Sequence, residues 1–397
     1  MTPLTTLETA SGVVLGLERD ARVDTSAGPP LAALEDAIRP FLRRAPCLVS
    51  FSGGRDSSAV LAVATALAWR EGLPLPVPAT NVFPDVAEAD ERQWQEHVVR
   101  ALGLEDWLRL AFDDELDCVG PVASAALRRH GLLVPFNAHF HVPLLRAASG
   151  GSLLTGIGGD EIFGERGRAA AVIARAAAPE PRDALRVGLA IAPQPLRGLV
   201  LRRRDRTTLP WLTLHANREL SSAWARFAAS EPLRWGAYLR WCSRLRYLRL
   251  GMRSLDLLAA DEGALVGHPF MDARFLGALS RAGGGADRAA AMTALFGELL
   301  PGSILARTTK ASFDRVFFAG HSRKFAAGWD GTGADERYVD VPCLQATWDS
   351  PRPVAQSFLQ LQAAWLAVSG AERLEQAVEP VRGCALGAGA APVLERG

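Results

Sequence analysis

Two short glycine-rich turns, each placed directly after an apolar run, constrain this chain more than any other feature. The run 47–52 suits a buried strand and stops at Gly53 and Gly54, and an apolar helix is predicted over 57–70. The run 152–155 ends the same way, in Gly156, Gly158 and Gly159. Between the two turns, 77–83 and 107–110 read as further strands and 86–102 as a long helix. Ahead of the first, Leu31, Leu34, Ile38, Phe41 and Leu42 recur at helical spacing over 30–44. Strands alternating with helices predict an α/β unit over 30–165, a parallel sheet with helices on both faces. Ligands of such a sheet sit beyond the carboxyl ends of its strands. From about residue 166 the texture changes, and long Ala-, Leu- and Arg-rich stretches predict a mainly helical region over 166–379. Residues 1–29 read as a short N-terminal extension with one strand at 12–17. Residues 283–285 and 328–342 read as loops, and 380–397 as a flexible tail.

The first turn carries Ser52, Gly53, Gly54, Asp56, Ser57 and Ser58. Glycines allow a close backbone approach, and the amides opening the next helix face outward to accept an anion. The serines add hydroxyl donors, so a phosphate-bearing ligand is expected. The spacing of the ordinary nucleotide loop is missing, and Asp56 would repel phosphate unless a cation lay between. That points to magnesium bridging Asp56 and pyrophosphate. The second turn carries Gly156, Ile157, Gly158, Gly159, Asp160 and Glu161; Glu161 sits where a dinucleotide fingerprint needs its third glycine. Asp160 is therefore read as the second magnesium carboxylate of the same site.

At these residues the chain resembles the synthetase domain of asparagine synthetases, whose relatives include β-lactam synthetases and lasso-peptide macrocyclases. Ala89–Arg92 resembles the acidic helix start of that family. Residues 267–272 are similar to its Val-Pro-Phe-Leu-Asp segment, and 300–313 to the segment that returns a lysine to the site. The resemblance implies a PP-loop (HUP-like) α/β domain and ATP with Mg2+. It implies AMP-forming amide synthesis, in which a substrate carboxylate is adenylated and then attacked by an amine. It also implies Lys310 as the catalytic cation and Asn81, after the second strand, as part of the adenine pocket through the backbone.

Departures from the family narrow the expectation. The glutaminase nucleophile, a cysteine after the initiator methionine, is replaced by Thr2, and the N-terminal glutaminase domain is expected to be absent. Ile157 stands where relatives carry Glu or Tyr. Leu265 and Gly267 align with a glutamate and an arginine before Pro269. An aliphatic pair cannot move a proton. A larger amine, carried in the same molecule, asks less of a base. Peptide macrolactam formation of the lasso type, or amide formation on another natural product, is the expected chemistry. A precursor peptide is the expected substrate, with a peptidase or leader-binding protein as partner. A glutamine- or ammonia-dependent asparagine synthetase-like enzyme, a tRNA-modifying ATP pyrophosphatase and a non-catalytic biosynthetic scaffold stay open as alternatives.

Composition excludes much else. The 44 basic residues nearly balance 43 acidic ones at a net charge of +1, so no nucleic-acid partner is expected. All but two of the basic residues are arginine, which singles out Lys310 and Lys324. No apolar run approaches the ~20 residues that span a bilayer, and the chain starts with no secretory pattern. No membrane partner and a cytoplasmic location are expected. Five scattered cysteines, without a Cys-x-x-Cys pair, argue against structural zinc and a disulfide framework. His139 and His141 could share a strand face; Asp113, Asp114, Glu115 and Asp117 read as a solvated helix start. Arg202–Arg204 and Arg206 near Trp211 read as a solvated face able to dock an acidic partner.

Overall fold

A computed structural model of the protein describes residues 3–19, 23–25, 28–164, 168–173, 180, 183–204, 208–283 and 287–378. Arg206, residues 284–285, 380–397 and part of the expected boundary near 165–175 lie outside them.

Five parallel strands form one sheet: β1 (Cys47–Ser50), β2 (Val77–Val82), β3 (Leu108–Ala111), β4 (Ser152–Leu154) and β5 (Leu265–Gly267). Their order is β3-β2-β1-β4-β5. Leu48 is in register with Val77 on one side of β1 and with Leu153 on the other. The chain leaves β1 for β2 on one side, and β4 lies on the other. A crevice therefore opens past the carboxyl ends of β1 and β4, the switch point where such sheets bind ligands.

Successive strand residues serve opposite faces. Val49 and Leu154 join a core built with the helices Pro30–Leu42, Arg55–Glu71 and Ala273–Ala282. Leu48 and Leu153 join a second one, with the helices Val142–Ala147 and Arg246–Asp261. A third core, around Trp211, Trp348 and Phe358, joins the later helices to Ala10, Cys118 and Val119. Trp211 is thus fully buried, with its indole N–H on the Ala10 carbonyl at 2.8 Å, and is no part of an arginine face.

Other expectations shift. Residues 12–16 form no strand; a helix, Thr6–Ser11, precedes them, and Leu17 makes a single bridge to Leu245. The long helix over 86–102 is broken into the turn Ala87–Ala89 and the helix Arg92–Ala101. Asp90 caps the Arg92 amide at 2.9 Å, which fixes the break. The loop over 328–342 ends in a helix, Val341–Trp348, capped by Asp340.

Candidate active site

The helix Arg55–Glu71 opens on Gly54, which has no side chain to bond the first-turn amides. Their partial positive charge stays directed at the crevice. The turn before it is held by serines: the Ser52 and Ser57 hydroxyls lie 3.2 Å apart, and the Ser52 amide donates to Ser57 Oγ at 3.3 Å. The second turn, after β4, packs directly on the first. A Cβ at Gly156 would come within 2.9 Å of the Ser57 nitrogen, and one at Gly159 within 2.4 Å of the Asp56 carboxyl. Only glycine lets the two turns touch, and touching brings their carboxylates together.

Asp56 and Asp160 then share cations. Arg288 donates to both Asp56 oxygens, at 2.7 and 2.5 Å, and also to Asp160. Lys310 Nζ lies 3.1 Å from the other Asp160 oxygen. Burial pushes the Asp56 carboxyl up against the pull of Arg288. Burial also pushes Asp160 up, but Arg288 and Lys310 outweigh it and hold that carboxyl below its usual range. Arg307 braces the floor: it donates to the Gly53 carbonyl at 2.9 Å, pairs with Glu91, and lies over the Trp94 ring at 4.7 Å. A cavity of about 560 Å³ results, walled by both turns, Arg288 and residues 307–310.

The sequence model for asparagine synthase matches residues 31–373. The chain belongs to the asparagine synthase family. That membership supports ATP-dependent amide synthesis as the general chemistry. A search of curated proteins gives no match.

Within this asparagine synthase-type site, Ser52, Gly54, Asp56, Ser57, Gly156, Gly158, Asp160 and Lys310 all border the cavity. Gly53 and Gly159 stand behind them as contact points. Ser58 and Asn81, like Gly53 and Gly159, do not border it. Ser58 is wholly buried with its hydroxyl unpartnered, because one helical step beyond Ser57 turns it into the core. Asn81 lies within β2, not after it, and its side-chain amide donates to the Phe140 carbonyl at 2.8 Å.

The aliphatic positions that stand for the family's polar ones, Ile157 and Leu265, also separate. Ile157 borders the cavity, but Leu265 pairs with Ser152 at the amino end of β5 and is 46% exposed. A residue there cannot reach the opposite edge of the sheet. Gly267 leaves room for the Phe41 ring, which a Cβ would meet at 2.6 Å. His139 and His141 sit in a 3-10 turn, Ala138–His141, not on a strand. Burial lowers each to about 4, so both are neutral near pH 7.

Arg288 and a tyrosine–carboxylate pair escaped sequence reasoning. Glu161 borders the same cavity, and its Oε1 accepts the Tyr247 hydroxyl at 2.7 Å. Burial raises both groups. Neither Arg288 nor Tyr247 lies in a recognisable motif; the only local signal was Asp287, which caps the helix Arg288–Phe296.

The residues fit a magnesium–pyrophosphate group. Two carboxylates face each other from touching turns, and the Arg288 guanidinium already spans both as a positive bridge. Among the described residues no three His, Cys, Asp or Glu side chains converge on one point. A hard cation held by Asp56 and Asp160 would complete its shell with phosphate and water oxygens, as magnesium does.

Proposed function

We propose that this protein forms amide bonds by adenylating a substrate carboxylate with ATP, releasing pyrophosphate, and passing the acyl group to an amine that displaces AMP. The observation that carries this reading is the meeting of Asp56 and Asp160, on two touching glycine turns, with Arg288 and Lys310. A free carboxylate is a poor acyl donor because its leaving group would be oxide; once joined to the α-phosphate, its leaving group is AMP. The amides opening Arg55–Glu71 and the hydroxyls of Ser52 and Ser57 bind phosphate oxygens. Asp56 and Asp160 would hold Mg2+, which supplies charge neutralisation on pyrophosphate when bound. Arg288 exchanges carboxylate for phosphate oxygens, which its planar fork suits equally well. Lys310, 78% exposed and tethered to Asp160, brings a compact charge to the adenylate oxygens.

Ile157 cannot take a proton, so removal of the amine proton falls to the Glu161–Tyr247 pair. The amine belongs to a large molecule, in the leading form the same one that carries the carboxylate, which gives a peptide macrolactam. An amine so held has a high effective concentration. A precursor peptide of this kind implies a peptidase or leader-binding protein acting beside the enzyme. The test is product analysis with ATP, Mg2+ and candidate acids. Equal, acid-dependent release of AMP and pyrophosphate is expected; ADP as the product overturns the reading.

A further inference from the structure

A second cavity of about 690 Å³ adjoins the first. Ile157 and Leu248 line both, so one layer of side chains separates them. Phe136, Trp224, Phe227 and Trp241 supply much of its wall, and among the described residues no Asp, Glu, Lys, Arg or His lines it. Among the described residues its polar side chains are Gln356, Tyr247 and the indoles of Trp224 and Trp241; Glu161 engages the Tyr247 hydroxyl, and the Trp241 indole donates to Ser230.

A charge brought here finds no counter-ion, and burying one unpaired is costly. Free aspartate, once one carboxylate is given to ATP, would still bring an ammonium and a second carboxylate. The volume also suits a ligand far larger than a four-carbon amino acid. We infer that this cavity binds the uncharged, apolar body of the carboxylate substrate, aromatic or branched aliphatic, with its carboxyl held at the Ile157–Leu248 wall facing the nucleotide side. The inference rests on the adenylation reading above. The same chemistry is offered by a small hydrophobic acid or by an apolar peptide segment bearing a side-chain carboxylate.

Calorimetric binding to the whole protein without nucleotide separates the two sources. Phenylbutyrate and indolebutyrate represent the small acid, acetyl-Trp-Phe-Glu-amide the peptide, and L-aspartate the charged competitor. At least one apolar probe is expected to bind roughly tenfold or more tightly than L-aspartate. The better probe is also expected to drive ATP–pyrophosphate exchange. A Cβ at Gly251 would make only ordinary contact with Pro135, at 3.5 Å, so a longer side chain there takes up cavity space. Trp224 is 39% exposed, so a polar side chain placed there reaches solvent. Gly251→Leu and Trp224→Asp are each expected to weaken the apolar probe about tenfold, with unchanged thermal transitions as the control for folding.

Aspartate binding as tightly as every apolar probe overturns the inference, as does indifference of both variants. Preferential binding of phenylbutylamine over phenylbutyrate overturns it too, by giving the cavity to the amine. Exchange driven by aspartate, with no apolar probe bound, defeats the cavity assignment and leaves adenylation standing. Apolar acids that bind but drive no exchange have the opposite meaning.

Discussion

Asp117, fully buried, and the pair of part-buried Asp56 and half-exposed Asp160 are satisfied in opposite ways. The Asp117 oxygens accept the amides of Val119 at 2.9 Å, Ala319 at 2.7 Å and Ser322 at 3.0 Å, with the Ser322 hydroxyl as well. Far from a solvated helix start, it fastens the loop after β3 to the helix Gly320–Gly328. Asp56 and Asp160 are instead bonded by Arg288 and Lys310, the ends of long side chains. A backbone amide cannot leave without unfolding its segment; a guanidinium or ammonium can swing away. The first arrangement is fixed structure, and the second is built to change partners.

That contrast is open to attack. The largest effect is expected from Asp160→Asn, which should cut acid-dependent pyrophosphate release about a thousandfold with little change in melting temperature. Asp117→Ala should do the reverse. It strands three backbone donors and should cost about 3 kcal/mol in urea unfolding, while turnover per folded molecule holds at low temperature. Should Asp117→Ala abolish chemistry with stability intact, the distinction between fixed and exchangeable partners fails. Lys310→Arg keeps charge but loses the compact ammonium, and amide yield should fall roughly a hundredfold. Glu161→Gln sharpens the picture further: transfer to the amine should slow about tenfold, with ATP–pyrophosphate exchange preserved.

A last effect concerns pH. His139 is buried, its pKa lowered to about 4, and its ring nitrogen bonds the Leu116 carbonyl at 2.9 Å, one residue from Asp117. The unfolded chain takes up this proton near the ordinary value of about 6.5 and the folded chain does not. Stability contributed by the neutral ring is therefore complete above about 6.5 and is lost as pH falls toward 4, at roughly 1.4 kcal/mol per unit. Urea unfolding of the parent and His139→Gln across that window should show the variant with the shallower slope.

What the sequence made legible follows from range. The glycine turns and β1 were readable because a strand, a turn and a helix start lie within a dozen consecutive residues, and the turn chemistry is local. Asp117 was misread because its partners, Ala319 and Ser322, lie some two hundred positions away. Arg288 was hidden among a crowd of arginines, and nothing beside it marks its reach to Asp56. β5 is three residues long and contains a glycine, too little for any period to register. Ser58 shows the limit of local reading even within a motif. The pattern names the residue, but the helical step decides whether its hydroxyl meets the ligand or the core.

The start of the chain has a practical consequence. Thr5 and Glu8 cap the helix Thr6–Ser11 reciprocally, the Ala10 carbonyl receives the Trp211 indole, and Gly12 lies so close to Gln356 that a Cβ would be 2.1 Å from its carbonyl oxygen. Val13, Val14 and Leu15 then pass along the apolar cavity. What reads as an extension is one side of an enclosure. A fusion tag joined here, or a truncation trimmed to the matched region at residue 31, would alter the apolar cavity while keeping the residues of both glycine turns.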